Sequence, residues 1–141
     1  MASFVEKRAE PNTSRRSGIL DARGVVTLVR SDGTVACERC TVAAQMLPRM
    51  RGLLGRKSLP SGEGMLIRPA PSIHTFFMRF PIDVVFLSRH GEVLKIAENV
   101  APWRARSCRH SYAVLELAAG EAGRCGLAVG DRVDTAKPVG P

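Results

Sequence analysis

Short hydrophobic runs separated by turn residues make up most of this chain, and this spacing predicts β-strands. The first two runs, residues 25–30 and 35–37, flank the turn sequence at residues 31–34, in which Gly33 can adopt a positive φ. The sequence therefore predicts a β-hairpin at the start of the folded domain.

The same pattern predicts further strands joined by short loops. Their predicted positions are residues 65–68, 73–78, 82–87, 93–96 and 112–117, with a last strand after the turn at 129–133. Helical patterns are rare. Residues 48–54, which begin at Pro48, and residues 120–127 fit short helices, and Thr41 can N-cap a short helical turn through Met46. We expect an α+β fold that is mainly β: one compact domain of short, mostly antiparallel strands, either a small barrel or β-clip-like, with one or two short helices.

His74 is a polar residue in the predicted strand at residues 73–78. Alternation places His74, Phe76 and Met78 on one face, and both faces of this strand are largely apolar. We therefore expect the strand to be covered on both sides. His74 is then either a core histidine with one satisfied hydrogen bond, which we favour, or a catalytic or ligand-binding group.

Asp83 interrupts the hydrophobic run of the predicted strand at residues 82–87. Because an unpaired carboxylate is costly to bury, Asp83 must be paired or hydrogen-bonded. Its candidate partners are Arg51, Arg56, Arg79 and the backbone N–H groups of the turn at residues 80–81.

Two interpretations of Asp83 follow. In the first, which we favour, an Asp–Arg pair clamps the helix at residues 48–54 to the sheet. In the second, Arg51 or Arg56 lies beside Asp83 in a cleft, with His74 or Met78 nearby, and the cleft binds a small anion.

Length and composition fit a single domain with flexible ends. The chain has 141 residues, of which 45% are hydrophobic and 24% charged, values typical of a globular protein. Residues 1–20 are mostly polar and without a sustained period, and residues 136–141 form a second short tail. We expect the domain to span residues 21–135.

The chain is basic, with a formal net charge of +8, which favours polyanions non-specifically. The first ten residues carry Glu6 and Glu10 and lack the apolar segment of a secretory signal. The apolar runs are also too short to span a membrane. We therefore expect a small, soluble, cytoplasmic protein without a membrane partner.

Four cysteines are too few for a disulfide scaffold, and a reducing compartment would keep them as thiols. Cys37 and Cys40 form a C-x-x-C motif, but no second such motif completes a zinc site. A site made of Cys37, Cys40, Cys108 and either Cys125 or His110 is the geometric alternative. We expect no metal and no cofactor.

Trp103 lies in a proline-containing loop with Arg104, Arg106 and Arg109. Such a loop is either a binding surface or a lid over the core. The arginines could contact nucleic-acid phosphates, but the sequence shows no ladder of aromatic residues beside them and no nucleic-acid-binding motif. A solvated basic face is the better interpretation.

Three long blocks of the chain resemble a known family. RGLLGRKSLPSGEGMLIRP, SIHTFFMRFPIDVVFLSRHGEVLKI and VLELAAGEAGRCGLAVGDRV are similar to the widespread prokaryotic family called domain of unknown function 192. The resemblance covers about residues 36–133. It implies a compact, mainly β domain with a helix near its start, and it implies no established activity, substrate or cofactor.

The resemblance also implies which positions belong to the family's blocks. They are Arg51, Gly52, Leu53, Gly55 and Arg56 in an arginine–glycine block, Gly64, Met65, Met78, Pro81 and Asp83 in a central block, and Gly130 and Asp131 in a closing turn. The arginine–glycine block lacks the phosphate-loop pattern and a preceding strand, so a nucleotide site is poorly supported.

Three functions fit these observations. The first, which we favour, is a non-enzymatic binding or accessory domain that holds a small ligand or a partner segment. Its candidate cleft consists of Arg51, Arg56, His74, Met78, Asp83 and Trp103. The second is an enzyme that uses His74 and Asp83 as an acid/base pair. The third is a nucleic-acid-associated protein that works through charge. The oligomeric state is open.

Overall fold

The computed structural model describes residues 18–43 and 56–136. Arg51 and the helix predicted at residues 48–54 lie outside the described residues, as do residues 1–17 and 137–141 of the predicted tails.

The described part of the chain consists of short strands and two four-residue helices. In chain order these elements are α1 (Gly18–Asp21), β1 (Val25–Arg30), β2 (Val35–Ala43), β3 (Glu63–Ile67), β4 (Ser72–His74), β5 (Ile82–Leu87), β6 (Val93–Val100), β7 (Ala105–Ser107), β8 (Ala113–Ala118), α2 (Glu121–Arg124) and β9 (Val133–Thr135). Within the described ranges, no helix has the length and apolar character needed to cross a membrane.

Seven of the strands form one sheet with the order β6-β5-β8-β3-β2-β1-β9, and β4 pairs with β7 in a separate small sheet. All pairs are antiparallel except β2 with β3. The prediction of a mainly β, mostly antiparallel α+β domain is therefore confirmed. The large sheet is not closed into a barrel, so the barrel alternative is wrong; an isolated bridge from Glu92 to Arg132 joins the segments beside its two edge strands.

The local patterns located several elements well. The predicted hairpin is the antiparallel pair β1–β2, and Gly33 in its turn has a φ of 85°. Strand β2 continues to Ala43, so the helical turn predicted from Thr41 is wrong over residues 41–43. The predicted strand at residues 82–87 is β5, whose side chains are all buried because hydrophobic groups cover both faces of the sheet. The predicted helix at residues 120–127 is shorter, since only Glu121–Arg124 is helical.

The strand predicted at residues 73–78 is wrong beyond His74. Strand β4 ends there, and the backbone N–H of Met78 donates to the carbonyl of Thr75 at 3.2 Å, which forms a turn. Phe77 then adopts a left-handed conformation with a φ of 66°. The predicted face of His74, Phe76 and Met78 is therefore split: Met78 is buried, and Phe76 is exposed.

Hydrophobic side chains fill both faces of the large sheet. One core contains Leu28, Leu66, Val85 and Leu115, together with residues from β2 and β9. The other core, on the opposite face, consists of side chains from β3, β5 and β8 and from the segment around the small sheet. Its members are Ala43, Leu59, Met65, Ile67, Ala70, Ile73, Met78, Phe80, Ile82, Val84, Phe86, Val100 and Val114. The small sheet and its loops therefore cover the second core.

The packed domain begins earlier than the predicted boundary at residue 21. Ile19 in α1 belongs to the first core, and its backbone N–H donates to Asp134 Oδ1 at 3.2 Å. At the other end, the backbone N–H of Ala136 donates to the carbonyl of Thr27 at 2.8 Å. Both of these residues fall in the predicted tails, so the packed part extends slightly beyond residues 21–135 at each end.

Candidate functional site

Asp83 is fully buried, and within the described residues its carboxylate accepts from three backbone amides. Oδ1 accepts from the N–H of Asn99 at 2.8 Å, and Oδ2 accepts from the N–H groups of Gly120 and Ala122, each at 3.0 Å. Arg56 is not among these partners, whereas an Asp–Arg clamp through Arg51 falls outside the described residues and stays a prediction. The carboxylate does join elements, since it fixes the end of β6 and the first turn of α2 to β5.

The two arginines predicted beside Asp83 do not meet it among the described residues. Arg56 is exposed, and its Nη2 donates to Glu63 Oε2 at 3.0 Å. This ion pair lies at the first residue of β3 and is solvent-exposed on both sides, so it contributes little to stability. Arg51 lies outside the described residues.

Within the described residues, no hydrogen bond joins His74 to Asp83, and the three bonds to the Asp83 carboxylate come from backbone N–H groups. His74 lies in the small sheet and is half-buried, with its ring stacked on Phe76. Met78 packs in the second core and presents no open surface.

The structure instead assembles His74 and Trp103 with two phenylalanines, a group that we call the aromatic surface: His74, Phe76, Phe77 and Trp103. The ring centroids of His74 and Phe76 are 4.8 Å apart, those of Phe76 and Trp103 are 5.8 Å apart, and those of Phe77 and Trp103 are 4.6 Å apart. Phe76 is 39% exposed, Phe77 64% and Trp103 55%. Such a contiguous run of exposed rings is unusual unless it binds something.

Thr75 holds the two loops of the aromatic surface together from below. Its buried hydroxyl donates to the carbonyl of Ala101 at 2.7 Å and accepts from the N–H of Arg104 at 2.9 Å. Its backbone N–H donates to the Arg104 carbonyl at 2.8 Å, and its carbonyl accepts from the N–H of Trp103 at 3.0 Å. This network fixes the backbone of the two loops that carry the rings.

Two members of the aromatic surface have a strained backbone. Phe77 has a φ of 66° and Trp103 a φ of 64°, in the left-handed region that bulky side chains disfavour. Residues with such conformations cluster at functional sites, where the surrounding structure enforces them. Here the hydrogen bonds of Thr75 supply that enforcement.

A shallow cavity of about 370 Å³ opens beside the rings, lined by residues 72–74, Phe76 and residues 105–107. Its edge is basic. Arg104 Nη1 donates to the carbonyl of Trp103 at 3.2 Å, and Arg106 Nη1 donates to that of Ala105 at 2.8 Å, so both guanidinium groups lie close to their own loop.

The segments that form this region carry positive charge only. Residues 72–79 and 101–110 contain Arg79, Arg104, Arg106 and Arg109 and include no aspartate or glutamate. The region can therefore bind a ligand that has flat apolar groups and a negative charge.

The cysteines do not form the zinc site considered from the sequence. Cys37 and Cys40 are buried in the first core, with Cys125 packed against it, whereas Cys108 packs against the second core across the sheet. Within residues 18–43 and 56–136, no cluster of three metal-ligating side chains occurs.

Cys37 and Cys40 do interact with each other. A hydrogen bond between their thiols lowers the pKa of Cys37 and raises the pKa of Cys40, and burial raises the latter further. Burial also raises the pKa of Cys125. Because thiolates are the nucleophilic form, Cys40 and Cys125 are poor nucleophiles at neutral pH.

Sequence reasoning found Trp103 and His74 but missed Phe76 and Phe77 as partners of the tryptophan. It had placed these two residues on opposite faces of a buried strand. One signal was present: two adjacent phenylalanines in a strand cannot both face the same core, and the only tryptophan of the chain lies in an arginine-containing loop.

Comparisons with known proteins identify relatives without an assigned activity. The family model of domain of unknown function 192, described as "Uncharacterized ACR", matches residues 27–135. Comparison with curated proteins gave no match.

Two solved structures are similar to the chain. A protein of unknown function from Novosphingobium aromaticivorans DSM 12444 is 28% identical with a TM-score of 0.66, over 78% of this chain and 83% of that one. A Sinorhizobium meliloti 1021 protein, described as a candidate transcription regulator, is 27% identical with a TM-score of 0.69, over 81% of this chain and 94% of that one.

Proposed function

Because the chain belongs to the domain of unknown function 192 family, whose description names no activity, we propose a function from the chain's own surface. The protein is a non-enzymatic binding domain that holds an anionic small ligand or partner segment on the aromatic surface. The observation that carries this proposal is the run of exposed rings of Phe76, Phe77 and Trp103 beside a basic cavity.

The shape and chemistry of the region support binding. Ligand sites are concave and mostly apolar, with a few placed polar groups, and their volumes begin at about 300 Å³. The cavity of about 370 Å³ falls at the lower end of this range. Because Thr75 already joins the backbone of the two loops, a ligand would not have to order these loops.

The position of Asp83 favours binding over the acid/base alternative. A general base needs lone pairs that can reach the substrate, directly or through one water. The carboxylate of Asp83 is fully buried and already accepts three backbone hydrogen bonds, so few of its lone pairs are left for a substrate.

A planar aromatic anion tests the proposal. The probe is 8-anilinonaphthalene-1-sulfonate. Its rings can stack on the aromatic surface, and its sulfonate can pair with the arginines beside that surface. Since Trp103 is the only tryptophan, energy transfer from it to the probe reports binding to the protein, and the variants show whether this surface is the site. We expect Phe77→Ala, and separately the pair Arg104→Gln and Arg106→Gln, to weaken binding about tenfold, which is about 1.4 kcal/mol.

Matched controls distinguish binding at the aromatic surface from non-specific binding elsewhere on the protein. Arg132→Gln removes one exposed positive charge outside the aromatic surface and should leave the affinity unchanged. N-phenyl-1-naphthylamine has the same rings without the sulfonate, so the arginine variants should bind it like the wild type. Circular dichroism checks that each variant is folded, because the anionic probe also binds partly unfolded states. Equal affinity of the wild type and both site variants for the anionic probe would overturn the proposal.

A further inference from the structure

We infer that the anionic partner of the aromatic surface is a single-stranded nucleic acid, of which two or three nucleotides are held. The bases would stack on Phe77 and Trp103, and Arg79, Arg104 and Arg106 would contact the phosphates. This inference rests on the proposed function and names the ligand class of the same site.

Phe77 and Trp103 offer two exposed rings, tilted by 58° to each other, on which bases can stack. Phe77 and Trp103 are both more than half exposed while in contact with each other, and Phe76 continues the row towards His74. Proteins that hold single strands without reading sequence stack successive bases on exposed aromatic rings. The structure therefore supplies the ladder of aromatic side chains beside the arginines that the sequence did not reveal.

The charge distribution matches a polyanion. Arg79 and Arg104 are exposed, Arg106 lines the cavity, and residues 72–79 and 101–110 include no carboxylate to compete for the guanidinium groups. A chain of phosphates offers one negative charge per nucleotide, so two or three nucleotides can engage two or three arginines. Arginine beside an aromatic ring also stacks on bases.

The strand lengths argue against a peptide that extends the small sheet. Binding by strand addition relies on main-chain hydrogen bonds along an exposed edge. Strands β4 and β7 have only three residues each, so an added strand could form very few such bonds. The exposed area is instead concentrated in side-chain rings.

The geometry favours single strands over a duplex. A duplex keeps its bases stacked on each other and offers no free base faces to aromatic side chains. Sequence readers of duplex DNA commonly insert a helix into the major groove. In the parts of the chain described here, both helices have four residues, which is too short for that role.

Quenching of Trp103 fluorescence by unlabelled oligonucleotides tests the inference. The probes are an eight-nucleotide single strand of thymidines, a twelve-base-pair duplex and an eight-residue peptide of glutamates. We expect the single strand to quench and bind at least tenfold more tightly than the duplex or the peptide. Phe77→Ala should weaken single-strand binding about tenfold, whereas Val129→Ala, which trims another exposed hydrophobic side chain, should not.

The salt dependence of the binding constant measures how many phosphates the arginines contact. With three arginines engaged, the logarithmic slope for a single strand is about −2, so raising salt from about 50 to 200 mM weakens binding about 16-fold. The double variant Arg104→Gln and Arg106→Gln reduces this effect to about threefold, because one contact remains. Arg132→Gln should leave the slope unchanged.

The outcomes separate this inference from the proposed function. Binding of the aromatic sulfonate without binding of the single strand overturns the inference and leaves the proposed function standing. Equal affinity for the duplex, or displacement of the single strand by the glutamate peptide at equal concentration, also overturns it. Failure of every probe, with the protein folded, overturns both.

Discussion

Phe77 and Trp103 are large aromatic residues in a left-handed backbone conformation, in which glycine would be less strained. A left-handed conformation costs a bulky residue about 1–3 kcal/mol. Both side chains are also more than half exposed, so burial returns little of that cost. A binding role would explain why these residues are both strained and exposed, whereas a purely structural role would not.

At position 77 we predict that the usual stability order of alanine and glycine is reversed. Both Phe77→Ala and Phe77→Gly remove the ring, so the difference between them isolates the backbone. Glycine has no left-handed penalty, and we expect Phe77→Gly to be more stable than Phe77→Ala by about 1 kcal/mol. The free energy of unfolding in urea gives this difference.

Phe76 provides the matched control, because it is an exposed aromatic neighbour whose φ is not positive. There glycine should be the less stable of the two replacements, by about 0.5–1 kcal/mol. The same order at both positions would mean that the left-handed conformation of Phe77 carries no measurable strain.

Among the secondary-structure elements, β4 is one whose length the local sequence pattern predicts wrongly. The alternation after Ile73 predicts a longer strand, but the strand ends at His74. Thr75 turns the chain because its hydroxyl and backbone groups all bond to residues 101–104, which lie far away in the sequence. Hydrophobic alternation contains no information about those partners.

Asp83 connects three elements, and we predict a large loss of stability when its charge is removed. In Asp83→Asn one oxygen becomes an NH₂ group, which faces a backbone N–H instead of accepting from it. With a buried donor left unpaired, we expect the free energy of unfolding to fall by about 2–4 kcal/mol. Urea denaturation followed by circular dichroism measures the change.

Asp32→Asn is the control for Asp83→Asn. Asp32 also accepts from a backbone N–H, that of Thr34 at 2.9 Å, but it does so in the exposed β1–β2 turn, where water can replace the bond. We expect little change there. A similarly small change for Asp83→Asn would show that the three amides do not depend on the carboxylate.

For the whole molecule, the sequence predicted the features that depend on neighbouring residues. It did not predict the contacts between residues that are far apart in the chain. The class of fold, the β1–β2 hairpin and β5 follow from local periodicity, and the family follows from three collinear blocks. The burial of Asp83 was predicted as well. Its partners were not, because they come from residues 99, 120 and 122. The aromatic surface likewise needs two loops that only the folded chain brings together.

Arg68 ties residues 18–22 to the rest of the fold. It is buried at the end of β3, and its Nη1 and Nη2 donate to the carbonyls of Ile19 and Ala22, the latter at 2.6 Å. Ile19 also packs in the first core. The segment at residues 18–22 is thus held by a charged anchor as well as by hydrophobic contact.

We predict that Arg68→Met lowers the free energy of unfolding by about 2–4 kcal/mol, because two carbonyls lose a charged donor. A shortened chain that begins at Arg23 completes a double-mutant cycle. The cost of Arg68→Met is measured in this chain and compared with its cost in the full chain. Since the shortened chain lacks both carbonyls, Arg68→Met should cost at least 1 kcal/mol less there. An equal cost in both chains would show that the value of Arg68 lies in its other contacts and that the amino-terminal segment is held by Ile19 alone.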